Sequence, residues 1–438
     1  MKYVFTLLTL LSFQVSFGQA DLSLSLDQAL DMALQKNTTL LNAALDIDYA
    51  ETQVNEIKAQ GLPQISGSAD FNHTFIIPTQ IIPGDFVGQP GTTIATQFGV
   101  PFNANVGIGA NQLLFDGSFF LGLKAASEFV KISELSASAS EIDIREGVTK
   151  AYYMALISQQ NIIQLNTSLA NIKKLQSETD QLYNAGFAEK LDVDRLTLSV
   201  SNMEININKL QNQAKLAKQL LLNSIGIDVN QDLTLTSVMP EEPITDSALA
   251  DFNADNRIEI QLINQQQELN QLSLKRYKMG YIPNLYGNFS YGTSTFASDG
   301  EFNTLGNDWF GNGRYAVSLN VPIFDGFYKK AKMDQVKIDI EKTQNTKQQA
   351  LLSMNLQVSQ AKTNYTNALK SIELQKGSQT LAESIYNTTT IKFKEGIGSS
   401  FEMINAESEL TQAKTNYLNA LYELNVARID LNKALGKL

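Results

Sequence analysis

Two very long stretches of helical periodicity dominate the hydrophobic pattern of the chain. Between Phe327 and Lys394 there is no proline and a single glycine, Gly377. About 65 residues at 1.5 Å each predict a helix roughly 100 Å long. A proline-free stretch from about residue 118 to 183 predicts a second helix of similar length. A glycine-marked turn and a further helix follow each of them, which indicates two long helix hairpins.

Patterns with a period of two precede each long helix. Residues 65–75 and 102–110 in the first half, and 285–291 and 314–321 in the second, alternate apolar with small or polar side chains. Each predicted strand has about ten residues, which is the length and pattern of a transmembrane β-strand. A half-buried hairpin of a soluble protein shows the same alternation, so the strands alone leave both interpretations open. A helix is predicted before the first strand, over residues 26–60.

The second half of the chain repeats the first. Landmarks of the helix and first strand recur at an offset of 220, namely Lys58 and Lys278, Pro63 and Pro283, and Gly67 and Gly287. The turn into each long helix recurs at an offset of 209, as Phe115-Asp116-Gly117 and Phe324-Asp325-Gly326. We therefore predict an internal duplication with a first repeat over residues 19–245 and a second over 246–438. Each repeat has the order helix, two strands, long helix, second helix.

Composition narrows the classes of function. The chain has 34 Lys and Arg against 45 Asp and Glu, a net charge of −11, which disfavours nucleic acid as a partner. It has no cysteine and one histidine, His73, so disulfides and most metal or acid–base sites lack their residues. We expect no cofactor and no metal site. An enzyme would have to rely on carboxylates alone.

Residues 1–18 have the pattern of a secretory signal peptide. Lys2 supplies the positive start, residues 4–11 the apolar centre, and Ser16 and Gly18 the small residues before a cleavage site. No later stretch reaches the 18 or so unbroken apolar residues of a membrane helix. The sequence thus predicts an exported chain without a helical anchor.

In the order and spacing of these features, the chain resembles the TolC family of outer-membrane efflux and secretion channels. The resemblance covers nearly all of the mature chain and rests on the signal peptide, the duplicated units and the Phe-Asp-Gly turns. It implies an α+β membrane protein, in which a homotrimer forms a 12-stranded β-barrel continuous with a long periplasmic α-helical barrel. The implied location is the outer membrane of a Gram-negative bacterium.

The resemblance also implies a function and partners. The function is a passive export duct of a tripartite efflux or type I secretion system, carrying small molecules or polypeptides. The partners are a periplasmic adaptor protein, an inner-membrane transporter of the RND, ABC or MFS type, and outer-membrane lipid. A periplasmic coiled-coil scaffold without channel activity is the alternative, because long helices rich in polar residues would also suit it.

The pattern of the strands favours an oligomer on physical grounds. Four strands with a lipid-facing side do not close a barrel, and unsatisfied edge groups in lipid cost several kcal/mol each. Twelve strands from three chains would close around a polar, water-filled interior. Because strands joined to periplasmic helices must turn at the far surface, the loops near residues 77–100 and 297–313 are expected to face outside.

The turns after the long helices, marked by Gly186 and Gly396, are the candidate functional site. In the family these turns form the periplasmic tip, where inward carboxylates narrow the pore. Glu402 and Asn405 stand where the family often has two acidic residues one helical turn apart, and Asp192 occupies the corresponding position in the first half. These three residues are therefore the candidate gate residues.

A second interpretation of Glu402 is purely structural. Ser399 and Glu402 have the spacing of a capping box, and an acid in the first turn is favoured by the helix dipole. Some family members lock the tip with an arginine where this chain has Gly398, which argues against that particular lock. Lys190 and Arg195 are the cations available to replace it.

Overall fold

The long helices and the strands that precede them follow the order that the hydrophobic pattern predicts. A computed structural model of the protein describes residues 22–242, 252–298 and 308–438. The helices are α1 (Leu26–Lys36), α2 (Thr38–Gln60), α3 (Gly117–Asn184), α4 (Lys190–Ile225), α5 (Ile258–Met279), α6 (Tyr328–Lys394) and α7 (Ser400–Ala434). The strands are β1 (Leu22–Leu24), β2 (Gln64–His73), β3 (Thr79–Pro83), β4 (Thr93–Gln97), β5 (Phe102–Phe115), β6 (Leu233–Leu235), β7 (Asn284–Ala297) and β8 (Phe310–Asn320). The predicted signal peptide lies outside the described residues.

The two long helices are present as single elements, with 68 residues in α3 and 67 in α6. The single helix predicted over residues 26–60 is wrong in one respect, because it is divided at Asn37. The Asn37 Nδ2 donates to the Ser224 carbonyl and its Oδ1 accepts from the Thr39 amide, both at 2.8 Å. An asparagine side chain that replaces backbone partners in this way interrupts a helix, and hydrophobic periodicity does not detect it.

The described residues form two compact units that cut across the two predicted repeats. One unit contains residues 22–45, 134–242, 252–262 and 347–438, and the other contains residues 46–133 together with 263–298 and 308–346. Each repeat therefore contributes segments to both units. The first unit holds the turns at the ends of the long helices, and the second holds the larger sheet.

The second unit is built on a four-stranded antiparallel sheet in the order β2–β5–β7–β8. On one face Ile108 lies between Gly67 and Tyr291 in neighbouring strands. On the other face the Asn111 Nδ2 donates to the Asn288 Oδ1 at 2.9 Å. The apolar and polar faces predicted from the alternation are therefore confirmed. Among the described strands, β2 and β8 form the two edges of this sheet, each with one neighbour.

The segment between β2 and β5 contains structure that the sequence pattern did not reveal. Strands β3 and β4 form a small antiparallel hairpin, joined through a short 3-10 helix over Gly84–Val87. The Gly84 amide donates to the Thr92 carbonyl at 2.7 Å. A Cβ on Gly84 would lie 2.2 Å from the Thr92 Oγ1, so glycine is required at this close approach. The predicted outer loop is thus an ordered hairpin within residues 77–100.

The first unit packs its helices around a core centred on Tyr152. This side chain is fully buried, its hydroxyl donates to the Leu24 carbonyl at 2.9 Å, and it accepts from the Ser237 amide at 3.0 Å. Strand β1, which contains Leu24, pairs in parallel with β6. A buried tyrosine whose hydroxyl both donates and accepts gains packing as well as hydrogen bonding, so it holds these short strands against α3.

The two repeats end in the same way in three dimensions. The Asn37 amide group binds the carbonyl of Ser224 near the end of α4, and the Arg257 Nη1 donates to the carbonyl of Ala434 at the end of α7, at 2.8 Å in both cases. Asn37 and Arg257 correspond at the offset of 220, and Ser224 and Ala434 at the offset of 210. Orphan carbonyls at a helix end need such partners. The contacts at the ends of α4 and α7 therefore join residues at matched offsets, and the duplication stays a prediction.

Candidate functional site

The turns that end the two long helices have the same backbone geometry. Gly186 has a φ of 84° and Gly396 a φ of 74°. The residue after each glycine donates its N–H to the carbonyl five residues before it, at 2.8 Å in the first turn and 3.1 Å in the second. This is the Schellman arrangement, in which a left-handed glycine satisfies the last carbonyls of the helix. The glycines marked by the sequence therefore stop α3 and α6.

The next helix begins differently in the two turns. At the start of α4, Glu189 makes no side-chain capping bond. At the start of α7, the Ser399 Oγ accepts from the Glu402 amide at 3.2 Å. Within the described residues the Glu402 carboxylate does not accept the Ser399 amide in return. Half of the predicted capping box is formed, and the Glu402 carboxylate is left out of it.

A contact between the two turns places Asp192 against the start of α7. The Ser400 Oγ donates to the Asp192 Oδ1 at 2.6 Å, and Ser400 is 4% exposed. The Arg195 Nη1 lies 3.9 Å from the same carboxylate oxygen, and its Cζ is 5.5 Å from the centre of the Phe401 ring. Such short bonds to a carboxylate are among the stronger hydrogen bonds in proteins. Asp192 is thus held by partners from both turns, and Arg195 is the cation beside it.

Glu402 and Asn405 lie one turn apart on α7 with exposed side chains. The structure therefore brings Asp192 together with Ser400 and Arg195. The Glu402 carboxylate has no hydrogen bond or ion pair with the described residues. Lys190, the other predicted substitute for the missing arginine, forms no ion pair with the described residues.

Gly398 has a steric reason to lack a side chain. A Cβ at this position would lie 3.0 Å from the Phe393 amide nitrogen and 3.3 Å from the Lys392 carbonyl carbon. Both neighbours are backbone atoms, which do not move aside as a flexible side chain would. An arginine at this position would therefore require the turn to shift.

A buried acid on α7 was missed by the sequence reasoning. Glu407 is 2% exposed, accepts a hydrogen bond from the Tyr386 hydroxyl of α6, and lies 3.5 Å from the Asn171 Nδ2 of α3. Burial and the neighbouring Glu407 carboxylate raise the pKa of the Tyr386 phenol above its usual value. A carboxylate between three helices needs such donors. The signal was present in the sequence, since Glu407 falls on the buried register of α7 beside Met403 and Leu410.

The predicted strand-to-helix turns each place an aspartate at the start of a long helix. The Asp116 Oδ1 accepts from the Ser118 amide at 2.7 Å and from its hydroxyl at 2.6 Å, which caps α3 directly. The Asp325 Oδ2 accepts from the Lys329 amide at 3.1 Å. In the second turn Phe327 has a φ of 67°, and the helix starts two residues later than in the first. The same motif therefore enters the two helices with different backbone geometry.

Neither a metal-binding cluster nor a membrane-spanning helix is present among the described residues. No group of three or more His, Cys, Asp or Glu side chains is arranged to hold a metal ion. No helix within the described ranges combines the length and apolar character needed to cross a membrane.

The described residues thus contain a four-stranded amphipathic sheet and two hairpins of very long helices. Residues 29–227 and 255–437 match the family described as outer membrane efflux protein. The chain belongs to this family. The predicted family, outer-membrane location and transport role are confirmed by this match.

Individual relatives match over nearly the full length. The outer membrane protein TolC of Salmonella enteritidis is 20% identical, over 94% of this chain and 82% of its own. The solvent efflux pump outer membrane protein SrpC of Pseudomonas putida is 22% identical, over 94% and 85%. The crystal structure of VceC from Vibrio cholerae superposes with a TM-score of 0.70 at 15% identity, over 94% and 96%. The structural likeness confirms the fold.

Proposed function

We propose that the chain is the passive outer-membrane duct of a tripartite efflux or type I secretion system. It assembles as a homotrimer, in which three sheets close a 12-stranded barrel and the long helices form a periplasmic extension. A periplasmic adaptor and an inner-membrane transporter of the RND, ABC or MFS type deliver the cargo and the energy. The duct itself carries out no reaction, and its cargo is a small molecule or a polypeptide.

The observation that carries this proposal is the four-stranded sheet. Its apolar face is bare in the single chain, with Ile65 75% and Tyr315 71% exposed. Exposed apolar surface of this kind is unfavourable in water and favourable in lipid. Edge strands β2 and β8 in lipid would leave backbone groups unsatisfied, which is resolved when each edge pairs with another copy. Twelve strands also suffice for a barrel with a water-filled interior.

The gate that we propose lies at the turns marked by Gly186 and Gly396. Glu402, Asn405 and Asp192 are its candidate residues. The support is that Glu402 has an exposed carboxylate without a partner in the described chain, although it stands beside a well-ordered turn. Three copies around a narrow opening would concentrate negative potential there and attract cations.

Cell fractionation and bilayer recording test the proposal together. We expect the chain in the outer membrane as a heat-modifiable trimer, and the purified trimer should form ion-conducting channels in planar bilayers. A soluble periplasmic monomer without conductance would overturn the duct and favour the scaffold alternative.

The orientation of the barrel has its own test. An epitope inserted near Gly91, in the exposed segment between β3 and β4, should be labelled on intact cells. Labelling only after permeabilisation would contradict the orientation in which residues 77–100 face outside.

A further inference from the structure

Two charged side chains stand out in the larger sheet. Among the residues of the described strands β2, β5, β7 and β8, Asp70 and Arg314 alone carry a full charge. Both side chains are exposed, and neither forms an ion pair or hydrogen bond within the described part of the chain. Charges are costly on the lipid-facing side of a membrane strand and are tolerated on the polar inner side, so both side chains are expected on the inner face.

The two charges lie on opposite edges of the sheet and on the same face. Asp70 is on edge strand β2 opposite Asn105, and Arg314 is on edge strand β8 opposite Ser290. Both belong to the polar register. Three strand spacings of about 4.8 Å put them roughly 14 Å apart across the sheet, so they do not reach each other within one chain. One edge therefore offers an anion and the other a cation.

Closing the sheet into a ring joins these edges. In a cyclic assembly β8 of one copy pairs with β2 of the next, a head-to-tail contact. Within one chain, the row of paired residues through Arg314 crosses Ser290 and Gly109 and reaches Ser66, four residues from Asp70. Strands about 4.8 Å apart and tilted by 35–45° shift such a row by about 4 to 6 residues across four strands. The offset observed is the offset that closure requires.

The direction of the shift also agrees. The Thr74 amide donates to the Pro101 carbonyl at 2.7 Å, so the even-numbered residues of β2, on its polar face, turn their backbone groups toward β5. With L-residues, a polar face turned inward and strands tilted in the right-handed sense of a barrel, this orientation fixes the direction of the shift. The row of paired residues moves toward the His73 end of β2 in the next copy. Arg314 then lies opposite Asp70 of the next copy, or one diagonal position away. The long arginine side chain can reach the carboxylate from either position.

We propose that Arg314 of each copy forms an ion pair with Asp70 of the next copy on the inner face of the barrel, and that this pair sets the register of the seam. The inference rests on the proposed trimeric duct and identifies the contact that closes it. The neighbouring positions on the polar face carry Asn, Ser and Gly, which fit several strand registers equally well. An ion pair is favourable in only one of these registers. Three such pairs would form in a trimer, each at a boundary between copies.

Cysteine cross-linking tests the contact directly, because the chain has no native cysteine. Asp70→Cys combined with Arg314→Cys, treated with a thiol-specific linker about 8 Å long, should give covalent dimers and trimers, since diagonal neighbours across a seam lie within about 8 Å. The matched control combines Asp70→Cys with Ser290→Cys, which moves the second thiol one strand inward, and should remain monomeric after denaturation. A ladder in the control, or none in the test pair, would overturn the inference.

Charge reversal gives an independent readout. Arg314→Glu and Asp70→Arg should each lower the temperature at which the trimer dissociates in detergent, and the double variant should recover most of that loss. Single variants that dissociate like wild type, or a double variant with the sum of both losses, would also overturn the ion pair. A conducting wild-type trimer with either negative result leaves the duct standing and removes only this seam contact. A wild-type monomer would instead contradict the proposed function.

Discussion

The two helix hairpins end alike but are held differently. Both long helices stop at a left-handed glycine, Gly186 or Gly396, with the same pair of backbone bonds. A side-chain bond then joins the long helix to its successor at equivalent positions, 210 residues apart. In the first hairpin the Gln176 Nε2 donates to the Thr197 Oγ1 at 2.9 Å in an exposed pair. In the second, Tyr386 donates to Glu407, which is buried.

The difference shows which helix connects the hairpins within one copy. Hydrogen bonds join α7 to the first hairpin at three places. Ser400 donates to Asp192 at 2.6 Å, Glu407 accepts from Asn171 at 3.5 Å, and the hydroxyls of Thr411 and Ser168 are 2.7 Å apart. The two turns share a backbone geometry that glycine satisfies best. The side chains around the two turns differ, and those of α7 bond to the first hairpin.

The largest expected difference between the hairpins concerns Tyr386. Tyr386→Phe removes a donor from a buried carboxylate and should lower stability by about 2 kcal/mol, since hydrogen bonds to charged groups contribute roughly 1.5–3 kcal/mol. Gln176→Met, the matched change in the first hairpin, removes an exposed bond and should cost about 0.5 kcal/mol or less. Thermal unfolding of the purified variants in detergent measures both. Equal losses would show that the two junctions are equivalent.

An ion network on α7 gives the second test. The Lys433 Nζ lies 2.6 Å from Asp143 and 2.5 Å from Glu146 of α3, and Glu146 also binds Lys150. The first repeat has Asn223 at the position matching Lys433. Lys433→Asn should therefore cost about 1–2 kcal/mol, less than a fully buried pair because these side chains are partly exposed. Asn223→Lys, which has no such partners to gain, is the control.

The same network predicts a pH dependence. Burial would raise the pKa of Glu146, but hydrogen bonds from Lys150 and Lys433 outweigh it and hold the pKa below its usual 4.5. A lowered pKa in the folded state contributes stability above about pH 4.5 that is lost as the pH falls through the folded value. The unfolding temperature of Lys433→Asn should thus fall less steeply on acidification than that of wild type. Parallel curves would contradict the role of Lys433.

Burial also acts against the charge on Lys433, but its hydrogen bonds to Asp143 and Glu146 raise its pKa above 10.5. A raised pKa in the folded state contributes stability that is complete below pH 10.5 and is lost as the pH rises through the folded value. The advantage of wild type over Lys433→Asn should therefore be greatest between these two limits. It should shrink at both ends of the pH range.

Much of the fold was predictable because hydrophobic periods report which face of a local element is buried. The spans of α3 and α6 and the two faces of the sheet follow from periods of 3.6 and 2. The break at Asn37 and the β3–β4 hairpin were not predicted from the sequence, because each depends on a few individual hydrogen bonds. A single side chain that replaces a backbone partner leaves the hydrophobic period unchanged.

The site was predictable only in part. The spacing of Ser399 and Glu402 predicted a cap, and one of its two bonds is formed. The hydrogen bond from Ser400 to Asp192 joins residues 208 positions apart, so no local sequence pattern predicts it. Glu407 was different, because an acid on the buried register of a helix is visible in the sequence and indicates a polar contact between helices.

The contact between the turns gives a smaller effect. Ser400→Ala removes the donor to Asp192 and should cost about 1 kcal/mol, since the carboxylate keeps access to water and to Arg195. Lys190→Ala, at the matching position of the first hairpin, should change stability by about 0.5 kcal/mol at most. Unfolding temperatures of the two variants provide the comparison. A larger loss for Lys190→Ala would reverse the asymmetry between the turns.

The smallest change in stability is expected for Glu402→Gln, whose main effect should be on ion conduction. The cap of α7 uses the Glu402 backbone amide, so Glu402→Gln preserves it, and the lost interaction with the helix dipole should cost about 0.5 kcal/mol or less. If three Glu402 carboxylates line the opening, the variant should show lower cation selectivity and weaker block by multivalent cations in planar bilayers. Asp192→Asn should change selectivity less, because Ser400 and Arg195 already engage that carboxylate. Glu341→Gln, an equal charge change on an exposed site of α6, serves as the control. Unchanged selectivity in Glu402→Gln would leave this acid as a first-turn residue of α7 and remove it from the gate.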